Sequence, residues 1–127
     1  MRDHAAVGMA EYTSIAAGME AADRMIKTAD VLPLFFKTVC PGKYLAAVSG
    51  DVAAVEASLL AAREIRPGSI ADWFILPNIH GDVITALAGC QPIRKQGALG
   101  VIETFSVSAS IVAADAAVKT RELGLID

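Results

Sequence analysis

The stretch VLPLFFKTVCPGKYLAAVS, residues 31–49, sets two apolar runs on either side of Cys-Pro-Gly-Lys. Pro41 and Gly42 favour a bend. Residues 31–39 and 44–49 are therefore predicted to be the two strands of a hairpin, with Cys40 at its tip. A cysteine used as a small hydrophobe belongs inside a strand or helix. A thiol on a turn raises a different question, which depends on how many copies of that tip meet.

On the N-terminal side, AAVGMAEY (5–12) reads as a strand. TSIAAGMEAADRMIKTAD (13–30) reads as an amphipathic helix behind a Thr13/Ser14 start signal, with Ile15, Met19, Ala22 and Ile26 at three- and four-residue spacing. On the C-terminal side, Gly50 and Asp51 open the alanine-rich DVAAVEASLLAAREI, with Val52, Val55, Leu59 and Ala62 on one face, ended by Pro67 and Gly68. SIADWFILP (69–77) is a fourth strand and HGDVITALAG (80–89) a short third helix. The order strand, helix, strand, strand, helix, strand, helix predicts an α+β sandwich of the split βαβ, ferredoxin-like kind.

After the polar CQPIRKQG the chain begins again. Shifted by 92 positions, AVGMAEYTSIAAGMEAADRMIKTADV (6–31) lies over ALGVIETFSVSASIVAADAAVKTREL (98–123). Gly8/Gly100, Glu11/Glu103, Ser14/Ser106, Ala21-Ala22-Asp23 over Ala113-Ala114-Asp115 and Lys27-Thr28 over Lys119-Thr120 are identical. Glycine, glutamate, aspartate and lysine recurring in register indicate a true repeat. The expected organisation is a complete domain over 1–90, a connector over 91–97 and the first strand and helix of a second copy over 98–127. Such a fragment cannot bury its own apolar face, so its complement belongs to another chain, to further sequence or to a neighbour.

The 127 residues suit one domain and a fragment. A net charge of −3, from 14 acidic and 11 basic residues, leaves no basic surplus for nucleic acid. Hydrophobic residues make up 54% and mean hydropathy is +0.50, yet charges interrupt every apolar run before the roughly 18 residues a membrane span needs. The apolar surplus suggests subunit interfaces. The N-terminal MRDHAAVGMAEY is not expected to be a secretory signal, and the two cysteines suit a reducing cytoplasm.

Together, AVGMAEYTS, GMEAADRMIKTADV, CPGKY, SGDVAAVEAS and ILPNIHGDV resemble the bacterial microcompartment shell domain. The restart at Ala98 resembles the tandem-domain, trimer-forming branch, which includes the propanediol-utilisation type with an iron–sulfur cluster in its pore. The resemblance implies a structural protein and no enzyme: a cytoplasmic tile, hexagonal or pseudo-hexagonal, packed edge to edge with other shell proteins around sequestered enzymes. It implies a homotrimeric pseudohexamer, or a hexamer if the chain ends at Asp127, with neither nucleic acid nor membrane as partner.

The same resemblance implies that Val39, Cys40, Pro41, Gly42 and Lys43 line an axial pore. Three symmetry copies of Cys40 would then supply three thiolates to one [4Fe-4S] cluster per trimer, leaving its fourth iron to a non-protein ligand. Lys43 is expected to lower the thiol pKa. The plain alternative is a thiol without metal. By the resemblance Lys27, with Asn78 to His80, stands at the tile edge, and Lys119 repeats the position. The alternative for Lys27 is a solvated lysine that favours the helix dipole.

Other residues carry less. Cys90 and His4 are given no role, and His80 has only Asp82 at a ligand spacing. The repeated Glu11 and Glu103 point to a structural hydrogen bond, and Trp73 and Phe74 to core or interface. No dinucleotide, phosphate-loop, serine-hydrolase or zinc-protease motif is present. A ferredoxin-like regulatory or ligand-binding oligomer stays open as a second reading, because fold does not fix function.

Overall fold

A computed structural model describes residues 6–89, 97–121 and 123–126, which fall into two units, Met1–Asn78 and Ile79–Asp127. Cys90, His4 and most of the 91–97 connector lie outside the described residues.

In the first unit, β1 (Ala6–Tyr12), α1 (Ile15–Thr28), β2 (Leu32–Val39), β3 (Lys43–Gly50), α2 (Val52–Arg63) and β4 (Ile70–Leu76) follow one another, with a 3-10 turn at Pro67–Ser69 before β4. The sheet order is β2-β3-β1-β4 with every neighbouring pair antiparallel. Thus β1 and β2 run parallel with β3 inserted between them, the split βαβ arrangement that the element order predicts. The β2–β3 hairpin closes with Val39 opposite Lys43, around Cys40, Pro41 and Gly42.

The core forms where both helices meet one face of the sheet. Ala10, Tyr12, Ala46 and Val48 from the strands pack with Ala17, Ala21, Met25, Val55 and Leu59 from the helices, all buried. Tyr12 is fully buried and its hydroxyl donates to the Ala62 carbonyl, which ties β1 to the end of α2. Burial pushes its pKa from 10.0 up to about 12. The Ser58 hydroxyl on α2 donates to the Met25 carbonyl of α1 at 2.9 Å and joins the two helices.

The buried face of α1 differs from the expected one. Ala17, Gly18, Ala21, Ala22 and Met25 face inward, whereas Ile15, Met19 and Ile26 are exposed. Small residues win the inner face because the helix sits very close to the sheet: a Cβ on Gly18 would lie 2.5 Å from Tyr44 Cβ. On α2 the expected face holds at Val55, Leu59 and Ala62. Val52 is instead exposed at the first helical position and Ser58 is buried.

In the second unit, α3 (Gly81–Ala88) packs on α4 (Val107–Thr120). The His80 ring accepts from the Asp82 N–H at 3.2 Å and caps α3, while the Ser106 hydroxyl caps α4. The helix of the second copy is therefore present, but residues 98–104 form no strand. Their counterpart β1 lies between two partner strands.

Candidate functional site

The β2–β3 turn projects Cys40, Pro41 and Gly42 into solvent, and Cys40 is a free thiol. Local chemistry shapes the bend. The Cys40–Pro41 peptide is cis and Gly42 has φ +110°, a conformation that glycine alone adopts readily. The Gly42 N–H donates to the Val39 carbonyl at 3.0 Å and closes the turn.

One step below the tip, the loop is anchored to the centre of the sheet. Lys43 Nζ lies 2.9 Å from Glu11 Oε2, and Glu11 on β1 is fully buried. The ammonium expected beside the thiol is thus committed to a carboxylate on the neighbouring strand. This pairing bears on Glu11 as well, where the sequence pointed to a structural hydrogen bond. A buried carboxylate held by a half-buried lysine fixes the base of the turn, because removing the lysine leaves the carboxylate's charge in a dry site.

The five loop residues Val39 to Lys43 are contiguous and share this one tip. Lys27 closes α1 with its side chain 70% exposed and forms an i, i+4 ion pair with Asp23 at 2.8 Å. Asn78 is exposed after β4. His80 lies in the second unit, where its backbone N–H donates to Asp115 Oδ1 at 2.8 Å.

A feature the sequence did not signal lies where α2 faces the edge strand β4. The Arg63 guanidinium stacks 3.8 Å from the centre of the half-exposed Trp73 ring, beside an open groove of about 530 Å³ bordered by Glu64 and Asp72. Phe74, next along the strand, is buried. Among the described residues no group of three or more histidine, cysteine or acidic side chains could hold a metal ion within one chain.

The profile of the BMC domain matches residues 6–79 and again 98–127, the two stretches that carry the repeat. The chain belongs to the BMC domain family. BMC relatives extend the comparison along nearly the whole sequence. The bacterial microcompartment shell protein PduT of Citrobacter freundii is 45% identical over 121 residues, covering 95% of this chain and 66% of that protein. The chain thus spans just under two-thirds of that relative's length. The carboxysome shell protein CcmK2 of Thermosynechococcus vestitus is 34% identical over 93 residues, 70% of this chain and 87% of its own. A solved microcompartment protein from Desulfitobacterium hafniense superposes with a TM-score of 0.77 at 43% identity, over 98% of this chain and 69% of that one. All three are shell or microcompartment proteins, and no helix among the described residues is long and apolar enough to cross a membrane.

Proposed function

We propose that the chain is a structural tile of a bacterial microcompartment shell, with no catalytic role of its own. Copies assemble around an axis onto which the β2–β3 turn projects, and tiles meet other shell proteins along edges that include Lys27, Asn78 and His80. The resulting compartment lies in the cytoplasm and encloses enzymes. Membership of the BMC domain family favours this reading over a regulatory oligomer.

Within it, Cys40 is the residue that gives the axis a chemistry. The observation that carries this is an exposed, unpaired thiol at the tip of a turn whose base is pinned by Glu11 and Lys43. The donor set suits an iron–sulfur cluster only through symmetry: each chain offers one thiol at this tip, and three copies would offer three thiolates to a [4Fe-4S] group. When bound, that group supplies one-electron transfer across the tile. The protein's part is to hold three sulfurs at a fixed height, which the buried Glu11–Lys43 pair does by limiting movement of the loop.

Native mass spectrometry on protein purified without oxygen tests both levels. A trimer or hexamer carrying the mass of one cubane per ring is the expected result. A ring without added mass would remove the cluster and keep the tile. A monomer or dimer would remove the tile.

A further inference from the structure

The helices of this fold start with different chemistries. The Ser14 and Ser106 hydroxyls accept from the N–H of Ala17 and Ala109 at 3.3 and 3.0 Å, at the starts of α1 and α4. Asp51 precedes α2 in extended backbone and makes no side-chain cap bond. At the start of α3 the acceptor is an imidazole. His80, with φ −67° and ψ 136°, takes the Asp82 N–H on Nδ1 at 3.2 Å. A hydroxyl oxygen accepts at any pH, whereas an imidazole nitrogen accepts only while it carries no proton.

This cap bond fixes the state of the ring: Nδ1 accepts, so the neutral imidazole bears its proton on Nε2. The same residue is tied to α4 through its backbone. Its N–H donates to Asp115 Oδ1 at 2.8 Å, and Asp115, 4% exposed, is held at Oδ2 by Lys119 at 2.6 Å. The His80 carbonyl accepts from the Val83 N–H at 3.1 Å, and Ile79 and Val83 on either side are buried. The first turn of α3 and the Asp115 face of α4 are thus joined at one residue whose ring is half-exposed to solvent. The charged groups around it are Asp82 on its own helix, whose Oδ2 lies 3.8 Å from Nδ1, and Asp115 with Lys119 on α4.

We propose that His80 is a proton-sensitive cap that sets how firmly the first turn of α3 is closed. Histidine is the side chain that ordinarily changes charge between about pH 5 and 8. Once Nδ1 gains a proton it no longer accepts, and the Asp82 N–H loses its partner. The imidazolium then sits at the positive end of the α3 dipole. Asp115 is already neutralised by Lys119, which leaves the Asp82 carboxylate to meet the new charge. That carboxylate is exposed, so its attraction is screened by water and does not replace the cap. The first turn of α3 loosens in acid while the Asp115–Lys119 pair stays in place. These contacts lie within one chain and hold whatever the chain assembles into.

Hydrogen exchange of the full chain tests this, read by mass spectrometry with fragmentation that resolves single amides. Rates are compared at about pH 8 and about pH 5, each divided by the rate of an unstructured peptide of the same sequence at the same pH. Protection of the Asp82 amide is expected to fall about fivefold in acid, the scale of one N-cap bond, while that of Ala109 behind Ser106 stays level. In His80→Asn, whose side-chain oxygen caps at either pH, Asp82 should be equally protected at both; in His80→Ala it should be poorly protected at both. His4, the other of the two histidines, is unchanged in these variants, and thermal melting confirms that they fold. Equal protection of Asp82 at the two pH values in the unsubstituted chain overturns the proposal, as does an undiminished acid loss in His80→Asn. A matching loss at Ala109 would mean that acid loosens the chain as a whole, and overturns it as well.

Discussion

Gly18 occupies a position where a single methyl group decides whether α1 can approach the sheet. An added Cβ would meet Tyr44 at 2.5 to 2.7 Å, at its Cβ and ring base rather than at a mobile end. Alanine gains about 1 kcal/mol of helix propensity over glycine, but overpacking of a tight core costs about 1–3 kcal/mol. Gly18→Ala is therefore expected to lower stability in urea unfolding. Tyr12 makes a second prediction. Its folded pKa of about 12 exceeds the unfolded value of 10.0, so between those values the unfolded chain has released a proton that the folded chain keeps. The stabilisation is complete below pH 10 and is lost as pH rises through 12, at roughly 1.4 kcal/mol per pH unit. Denaturant midpoints measured from pH 9 to 12 check this. At the turn, Cys40→Ser is expected to abolish bound iron while rings persist in native mass spectrometry. Loss of the rings would make Cys40 a structural residue.

At the scale of elements, the hairpin is held by its pairing to β1 and by one ion pair. Lys43→Met removes the ammonium from the fully buried Glu11 carboxylate, and the expected loss is about 3 kcal/mol in equilibrium unfolding. A loss near zero would mean that water reaches this site. The strands and helices were legible because each has its own period and punctuation, such as Ser14, Pro41–Gly42 and Pro67–Gly68. The pair was not, because Glu11 and Lys43 are 32 residues apart and meet only once β1 and β3 are neighbours. The inward face of α1 is not legible in the sequence for a related reason. Large apolar side chains at helical spacing mark an apolar face, but not which surface covers it. The distance between helix and sheet reserved the inner face for alanine and glycine. Residues 98–104 carry β1-like sequence without becoming a strand, since strand character needs partners that spacing alone does not supply.

At the scale of the whole molecule, the family was legible from motifs in combination, and the two matched stretches coincide with the repeat. Lateral contact between tiles is the property that Lys27 is expected to govern. Lys27→Asp should leave single rings in solution and prevent extended sheets in electron micrographs. Its fold should survive, because the side chain is 70% exposed and the pair with Asp23 is a surface one. Normal sheets from this variant would remove Lys27 from the edge.

The contact of α3 with α4 also has a directional meaning. Within the second unit the α4 face that carries Asp115 and the segment that carries His80 are different surfaces, so their contact has a head and a tail. Contacts of this kind do not saturate in pairs as two-fold ones do. A head-to-tail contact repeated between copies closes into a ring only where the rotation per step divides a full turn, and otherwise runs on as an open filament.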